Sequence, residues 1–565
     1  MRHLPSFLFV LVSIPLLAVA PGLSQQNPAN HPAATFTTSS ELVLVPVNVK
    51  NRSGKPLVGL TQKDFVLKSD GKVEPVAIFE EMHTSKLPAA AAAPSHLPPQ
   101  PRRIFANVPR VGLPRNLIII VIDLVNTPTL RQTWAKQRLV DYLAKNMPNQ
   151  PFALVALTDK GLLQIHSFSS DPSTLAKALQ KVKVALTRHE EQQIFTPGDP
   201  NMSSYGDLLG AFNEAQFDEA RMEKQAAAIT LAGFEQLAQV YAGVPGRKSV
   251  IWLTTGIPFL QVAPDSLLVR MRPRTHLSAA LVPAYEHAFS LMNTADMTIY
   301  PVNLAGISTD ASYLGDGIHT LMIPYLGIAA AAAESPDPTP AEVDDGMQRL
   351  ADATGGTVCA ANTTLKNCVN RAVQDASDYY LLGFYVSSKN RKPGWHKLSV
   401  NVLPAHGAVH TRTRYFLAAQ SATNPKLMDA LMENAVGSTM TYSGIAFGVE
   451  KQMVPAKKTS TGKPSPATTI YRIMIPATSV MEAKANGGLS FDVVTAPLAA
   501  DGKIISADSQ VTHIRMTPAD ARKVLLSGWN LVYAMPPDKS IKSLRVTIRD
   551  NTTSRIGAVT IPVNR

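Results

Sequence analysis

The first clear pattern along the chain is one of alternation. Val43, Val45, Val47 and Val49 take every second position from Glu41 to Lys50, the period of a strand with one buried face. Asn51 to Gly54 makes a turn. Phe65 to Leu67, the Asp70-Gly71 turn and Val76 to Phe79 then read as a hairpin. Residues 41–82 thus form a small β module, too short to stand without a neighbour. Residues 84–103, rich in proline and alanine, read as a linker.

A different pattern follows. Asn116 to Asp123 is a continuous, β-branched apolar run too short to span a membrane, which suits a strand buried on both faces. Thr127-Pro128 is a helix start, and Ala135, Leu139, Tyr142 and Leu143 share one helical face. Strands are predicted at Phe152 to Thr158, Ser249 to Thr254 and Thr298 to Asn303. Between them lie helices around Ala227 to Tyr241 and Ala284 to Thr294, and a later one closes at Gly355-Gly356. Asp378 to Val386 and His396 to Leu403 read as a hairpin finishing this unit. The alternation predicts an α/β fold, a doubly wound sheet over 114–415, interrupted by insertions near 187–205 and 306–340. Residues 416–467 read as a helix and a second linker. Alternating runs over 468–565 predict an antiparallel, Ig-like β-sandwich.

Length supports several units, since 565 residues exceed what one core accommodates. Met1 to His3 followed by the apolar stretch Phe7 to Ala20 resembles a secretory signal peptide, residues 1–24, cut after Ser24. The alternative is an uncleaved anchor, for which the run broken by Pro15 is short. The mature chain is therefore expected to be secreted or periplasmic, and not membrane-spanning after signal removal. A mean hydropathy of +0.02 and no second long apolar run exclude a multi-span membrane protein.

The net charge of +12 is spread along the chain without the basic blocks of nucleic-acid arms, so no nucleic-acid partner is expected. Attraction to anionic polymers or membrane surfaces is a weaker reading than a solvated basic surface. The two cysteines, Cys359 and Cys368, form a local disulfide in an oxidising compartment or remain as two buried thiols. Nucleophile-elbow, Walker, dinucleotide and zinc-protease motifs are missing, which favours a non-enzymatic protein. His396, His406 and His410 are interrupted by Pro404 and Gly407 and suit a surface hairpin better than a metal site.

Several segments in order resemble a family of exported bacterial proteins related to von Willebrand factor A domains. They are Val45 to Val49, Gly54-Lys55-Pro56-Leu57, Asp64-Phe65, Ile118 to Thr127, Gly246 to Val250, Ile299 to Val302, Leu350 to Gly356 and Tyr379 to Phe384. The resemblance spans about residues 41–415 and implies a Rossmann-like von Willebrand factor A domain. Such domains often hold Mg²⁺ in a metal-ion-dependent adhesion site whose oxygen ligands follow the first buried strand. Asp123 and Thr127 match two of these ligands. Val125 stands where a hydroxyl is needed, and Thr255 replaces the later carboxylate, so the site is degenerate, and the stronger reading is structural: Thr127 caps its helix and Asp123 accepts hydrogen bonds from loop amides. The function expected is an exported interaction or adhesion-type protein binding a protein or glycan. An extracytoplasmic hydrolase working from the insertions, or a structural envelope component, are the alternatives.

Overall fold

The computed structural model describes residues 41–83, 104–108, 116–147, 150–183, 205–244, 246–257, 281–304, 340–359, 364–386, 392–403, 407–417, 425–455, 457–458, 464–465, 468–479, 490–505, 510–535, 538–551 and 553–563. The expected signal peptide lies outside them, as do the insertions apart from their last residues.

In chain order the elements begin with β1 (Glu41–Lys50), β2 (Phe65–Ser69), β3 (Lys72–Glu74), β4 (Ile78–His83) and β5 (Ile104–Ala106). There follow β6 (Asn116–Asp123), α1 (Thr129–Asn146), β7 (Phe152–Thr158), β8 (Gly161–Ser169), α2 (Pro172–Gln180) and the long α3 (Tyr205–Tyr241). Next come β9 (Arg247–Thr254), α4 (Val282–Thr294), β10 (Met297–Asn303), α5 (Pro340–Thr354) and α6 (Leu365–Ser377). Then β11 (Asp378–Val386), β12 (Gly394–Val402), β13 (Ala408–Thr411), β14 (Arg414–Leu417) and α7 (Pro425–Gly437) lead to the C-terminal strands. These are β15 (Tyr442–Ser443), β16 (Gly448–Val454), β17 (Lys457–Lys458), β18 (Pro464–Ser465), β19 (Thr468–Ile475), β20 (Ser490–Leu498) and β21 (Gln510–Arg515). After α8 (Pro518–Ser527) the chain closes with β22 (Trp529–Met535), β23 (Ser543–Asp550) and β24 (Ile556–Pro562).

The structure overturns the expected fold class. Among the described residues strand outweighs helix, and parallel pairing is confined to β6 with β7, β6 with β9, β9 with β10 and a single bridge of Val302 with Cys359. The remaining strand pairs are antiparallel, so the protein is a β-rich, mainly antiparallel assembly. A Rossmann-like, doubly wound von Willebrand factor A domain over 114–415 does not describe it. The error has a physical origin. Period-2 alternation in β1 and β12 shows that each strand has a face to bury, but it does not say against which partner.

These strands complete a sandwich with the N-terminal module. β11 pairs with both β1 and β4, and β12 pairs with β2, giving sheets ordered β13-β1-β11-β4 and β14-β12-β2-β3. Val43, Val45 and Val47 of one sheet meet Leu67, Leu398 and Val400 of the other in one core. The sheet β10-β9-β6-β7-β8 carries helices on both faces. Ile118, Ile120 and Ile122 face α1, α2 and α6, while Leu117, Ile119 and Val121 face α3, α4 and α5. At the C-terminus, sheets β15-β24-β23-β20-β21 and β22-β19-β16-β5 enclose a third core.

One buried cation holds the N-terminal sandwich to the parallel strands. Arg247, fully buried at the start of β9, donates from Nη1 to Asn48 Oδ1 (3.2 Å) and Asp375 O (2.9 Å), and from Nε to Thr298 Oγ1 (3.1 Å). Nη2 reaches the Tyr300 hydroxyl (3.2 Å), and the guanidinium lies 5.1 Å from the Tyr379 ring centre. Asn48 Nδ2 in turn donates to Asp375 O and Asp378 O. The next residue, Lys248, is also buried, but its charge is met only by the field of Asp296, and burial pushes its amine down to about 8.

Two predictions separate these neighbours. Arg247→Met should lower unfolding free energy by about 3 to 5 kcal/mol in urea titrations, because the partners of a buried charge are left unmade. Lys248 is deprotonated more readily folded than unfolded, so stability should rise with pH between about 8 and the ordinary lysine value near 10.5. Lys248→Met should be more stable than wild type at pH 7, by on the order of 3 kcal/mol at most, and should lack that rise. A flat wild-type profile over this range would refute the assignment.

Candidate functional site

Asp123 ends β6 at the carboxyl edge of the parallel strands, where an open sheet leaves a crevice for ligands. Its side chain is fully buried. Oδ1 accepts from Val125 N (3.0 Å) and Asn126 N (2.9 Å), so the chain turns back around the carboxylate as it leaves the strand. Oδ2 accepts from Asn126 Nδ2 (2.8 Å) and Trp252 Nε1 (3.1 Å), and the Thr254 hydroxyl lies 2.9 Å away. The second amide proton of Asn126 goes to Thr230 Oγ1 on α3 (2.9 Å). Burial pushes the Asp123 carboxyl above the ordinary carboxylate range, and the bonds from Asn126, Trp252 and Thr254 oppose that rise.

Thr127 does not act as the expected cap. Its hydroxyl is buried without a hydrogen-bond partner among the described residues, and Pro128 occupies the cap position of α1. Gln132 instead bonds the Thr127 carbonyl (2.6 Å) and that of Leu124 (3.3 Å). Thr255, at the position of the lost carboxylate, gives its hydroxyl proton to Asn126 O. Val125 supplies no oxygen from its side chain.

This donor set does not fit Mg²⁺. A hard divalent cation needs several oxygens with free lone pairs in octahedral array, whereas both oxygens of Asp123 already face protein N–H or O–H groups. Among the described residues no group of three or more His, Cys, Asp and Glu side chains is placed to hold a metal. Asn126 and Trp252 provide the positive partners of the buried carboxylate. Sequence reasoning found Asp123 but missed these two. The Asp-x-x-Asn spacing was a usable signal, since an asparagine three residues on can fold back on the carboxylate; Trp252, 129 residues away, left none.

The other singled-out residues lie elsewhere. Cys359 and Cys368 form a disulfide with Cα atoms 5.7 Å apart. Cys359 exchanges backbone bonds with Pro301 and Asn303, so the bridge ties the margin of β10 to α6. His396 lies between Asp70 Oδ2 (2.8 Å) and Lys392 O (2.7 Å), while His410 bonds Gly356 O (2.9 Å). These two histidines belong to separate hydrogen-bond sets, and His406 lies outside the described residues.

No family model matches the chain, and no curated protein sequence matches it, so the von Willebrand factor A resemblance has no family model behind it. Among solved structures, the pilus adhesin SpaC from Lactobacillus rhamnosus GG aligns with 81% of this chain and 54% of its own, at 9% identity and a TM-score of 0.24. The chain thus spans about half the length of that adhesin, and a TM-score this low does not define a common fold. Among the described residues no helix is long and apolar enough to cross a membrane.

Asp123→Ala should cost about 3 kcal/mol or more, since several buried donors lose their acceptor. Asp123→Asn should cost a comparable amount, because its amide protons would face Asn126 Nδ2 and Trp252 Nε1. Denaturant midpoints showing either variant within about 0.5 kcal/mol of wild type would mean that the carboxylate is dispensable to the fold.

Proposed function

We propose that this is an exported, non-enzymatic interaction protein that recognises a protein or glycan at the carboxyl edge of its parallel strands, without a metal ion. The observation that carries this reading is the state of Asp123. A carboxylate filled by backbone, asparagine, tryptophan and threonine donors is a structural clasp, neither free to take a proton from a substrate nor open to a cation. The clasp fixes the backbone of residues 123–127 and 254–256 as a rigid rim, which lowers the entropy lost when a partner docks. The N-terminal signal-like sequence supports export, and the absence of catalytic motifs supports binding over turnover.

The test uses Gly256, where an added Cβ meets nothing within 4 Å, and Gly437, equally open, on a different element. A photo-crosslinking residue at position 256 should capture a specific envelope component in the native cell, with no such capture from position 437. The yield should be unchanged by EDTA. Adding Mg²⁺ should leave the unfolding midpoint where it was, whereas an ion bound at a hundred times its Kd would add about 2.7 kcal/mol. Metal-dependent capture, equal capture from both positions, or hydrolysis of ester, peptide or glycoside substrates by the purified chain would overturn the reading.

A further inference from the structure

The sheet β14-β12-β2-β3 turns Leu67, Leu398, Val400 and Tyr415 inward onto the core of the N-terminal sandwich. Alternation then places Lys397, Ser399 and Asn401 of β12 on the opposite face, with Lys68 of β2 and Arg414 of β14. Register brings the cations together. Lys397 lies directly across from Arg414, and Lys68 lies across from Ser399, one diagonal step from Lys397. These side chains, with the hydroxyls of Ser399 and Thr413, line a cleft of ≈ 580 Å³ into which no carboxylate projects among its lining residues.

Like charges directly opposite on neighbouring strands destabilise a sheet, and neither Lys68, Lys397 nor Arg414 has an ion-pair partner among the described residues. The acids on flanking elements are engaged elsewhere. Asp70 accepts from His396 Nδ1 and Lys397 N (2.8 and 2.9 Å), Asp352 accepts from Gln348 Nε2 (2.7 Å), and Glu74, opposite Leu67, belongs to the inward-facing register. The face therefore carries concentrated positive charge that the fold itself does not neutralise.

We propose that this cleft binds an anionic polysaccharide, with Lys68, Lys397 and Arg414 holding successive carboxylate or sulfate groups and Ser399 and Thr413 meeting sugar hydroxyls. The cations spread over three adjacent strands, which suits a chain carrying repeated charges better than a single small anion. Single-stranded nucleic acid would call for open aromatic faces on which bases stack. Trp395, in the lining of the cleft, is instead packed edge-on by Phe289 and Phe416 and covered by Arg414, 5.7 Å from its ring centre. This site is on a different sheet from Asp123 and does not depend on the reading of that edge.

The experiment is calorimetric titration of the full exported chain with polygalacturonate and with dextran sulfate, neutral dextran serving as the uncharged comparison. K68Q/K397Q/R414Q should weaken binding roughly tenfold or more at fixed salt and flatten the dependence of affinity on salt. The control K503Q/K539Q/K542Q, which removes the same charge from the C-terminal sandwich, should bind as wild type. The first triple variant should unfold close to the wild-type temperature, because relief of the opposed charges offsets the lost contact of Arg414 with Trp395. The proposal is overturned if the control variant weakens binding equally, if the cleft variant binds unchanged, or if single-stranded DNA or phosphatidylglycerol vesicles bind more tightly than either polysaccharide. Capture from position 256 is read separately, so either conclusion can fail without the other.

Discussion

A guanidinium taken fully out of water must find its partners within the protein, because an isolated buried charge costs several kcal/mol. Arg247 meets this demand by drawing on β1 through Asn48, on β10 through Thr298 and Tyr300, and on the end of α6 through the carbonyl of Asp375. No single piece of the chain can supply them all. The N-terminal strands, the parallel strands and the helix leading into β11 are therefore obliged to assemble around one side chain. The Asp375 carboxylate, 2% exposed, adds an ion pair to Lys50 of β1 at 2.8 Å. Close approach completes the junction: a Cβ on Gly356 would lie 1.8 Å from Ile299 O, so only glycine lets the chain leaving α5 pass beside β10.

The same constraint explains what could and could not be read from the sequence. Strand and helix identity is local, and Val43 to Val49, Ile118 to Ile122 and the Leu231, Phe234, Ala238 face each state their period plainly. Partner choice is not local. Nothing in Val45 or Leu382 indicates that they will pair, since any half-buried strand satisfies the same alternation. The sandwich therefore looked like two fragments at either end of an α/β unit, and the fold class was misjudged for that reason. Ile104–Ala106, three residues beside a proline-rich stretch, is too short to announce a strand, yet it extends the C-terminal sheet beside β16. Asn107 next to it bonds Tyr442 O, Ile445 O and Phe447 N, a clasp whose partners lie more than 300 residues away and leave no local trace.

The candidate site shows the same division at the scale of single residues. Asp123 was legible because an acid ending a buried apolar run is conspicuous. Its acceptance of loop amides was legible too, but its partners Trp252 and Thr254 were not, because they lie on β9. A metal-binding carboxylate and a structural one are the same letter; they differ in whether the surrounding donors leave lone pairs free. Here Asn126 turns back, Trp252 reaches across from β9, and Thr230 holds the other side of the Asn126 amide. The Thr127 hydroxyl, buried without a hydrogen-bond partner among the described residues, belongs to the same rim.

Two kinds of cation in this protein contrast, and the distinction bears on function. Arg247 and Arg545 are buried and saturated, the latter by the carbonyls of Ala435 and Met440 and the hydroxyl of Thr560, so each spends its charge on holding elements together. Lys397 and Arg414 stand exposed and face to face, where each raises the energy of the other, and only the Arg414 contact with the Trp395 ring offsets that cost. Removing a cation of the first kind strips carbonyls and hydroxyls of their donors. Removing one of the second relieves repulsion. Stability alone gives no account of a sheet that keeps such a pair without a counter-charge, whereas an anion bridging the two would turn the repulsion into attraction at both. The solvent face of the N-terminal sandwich is thus defined by an electrostatic imbalance, just as the edge at Asp123 is defined by its absence.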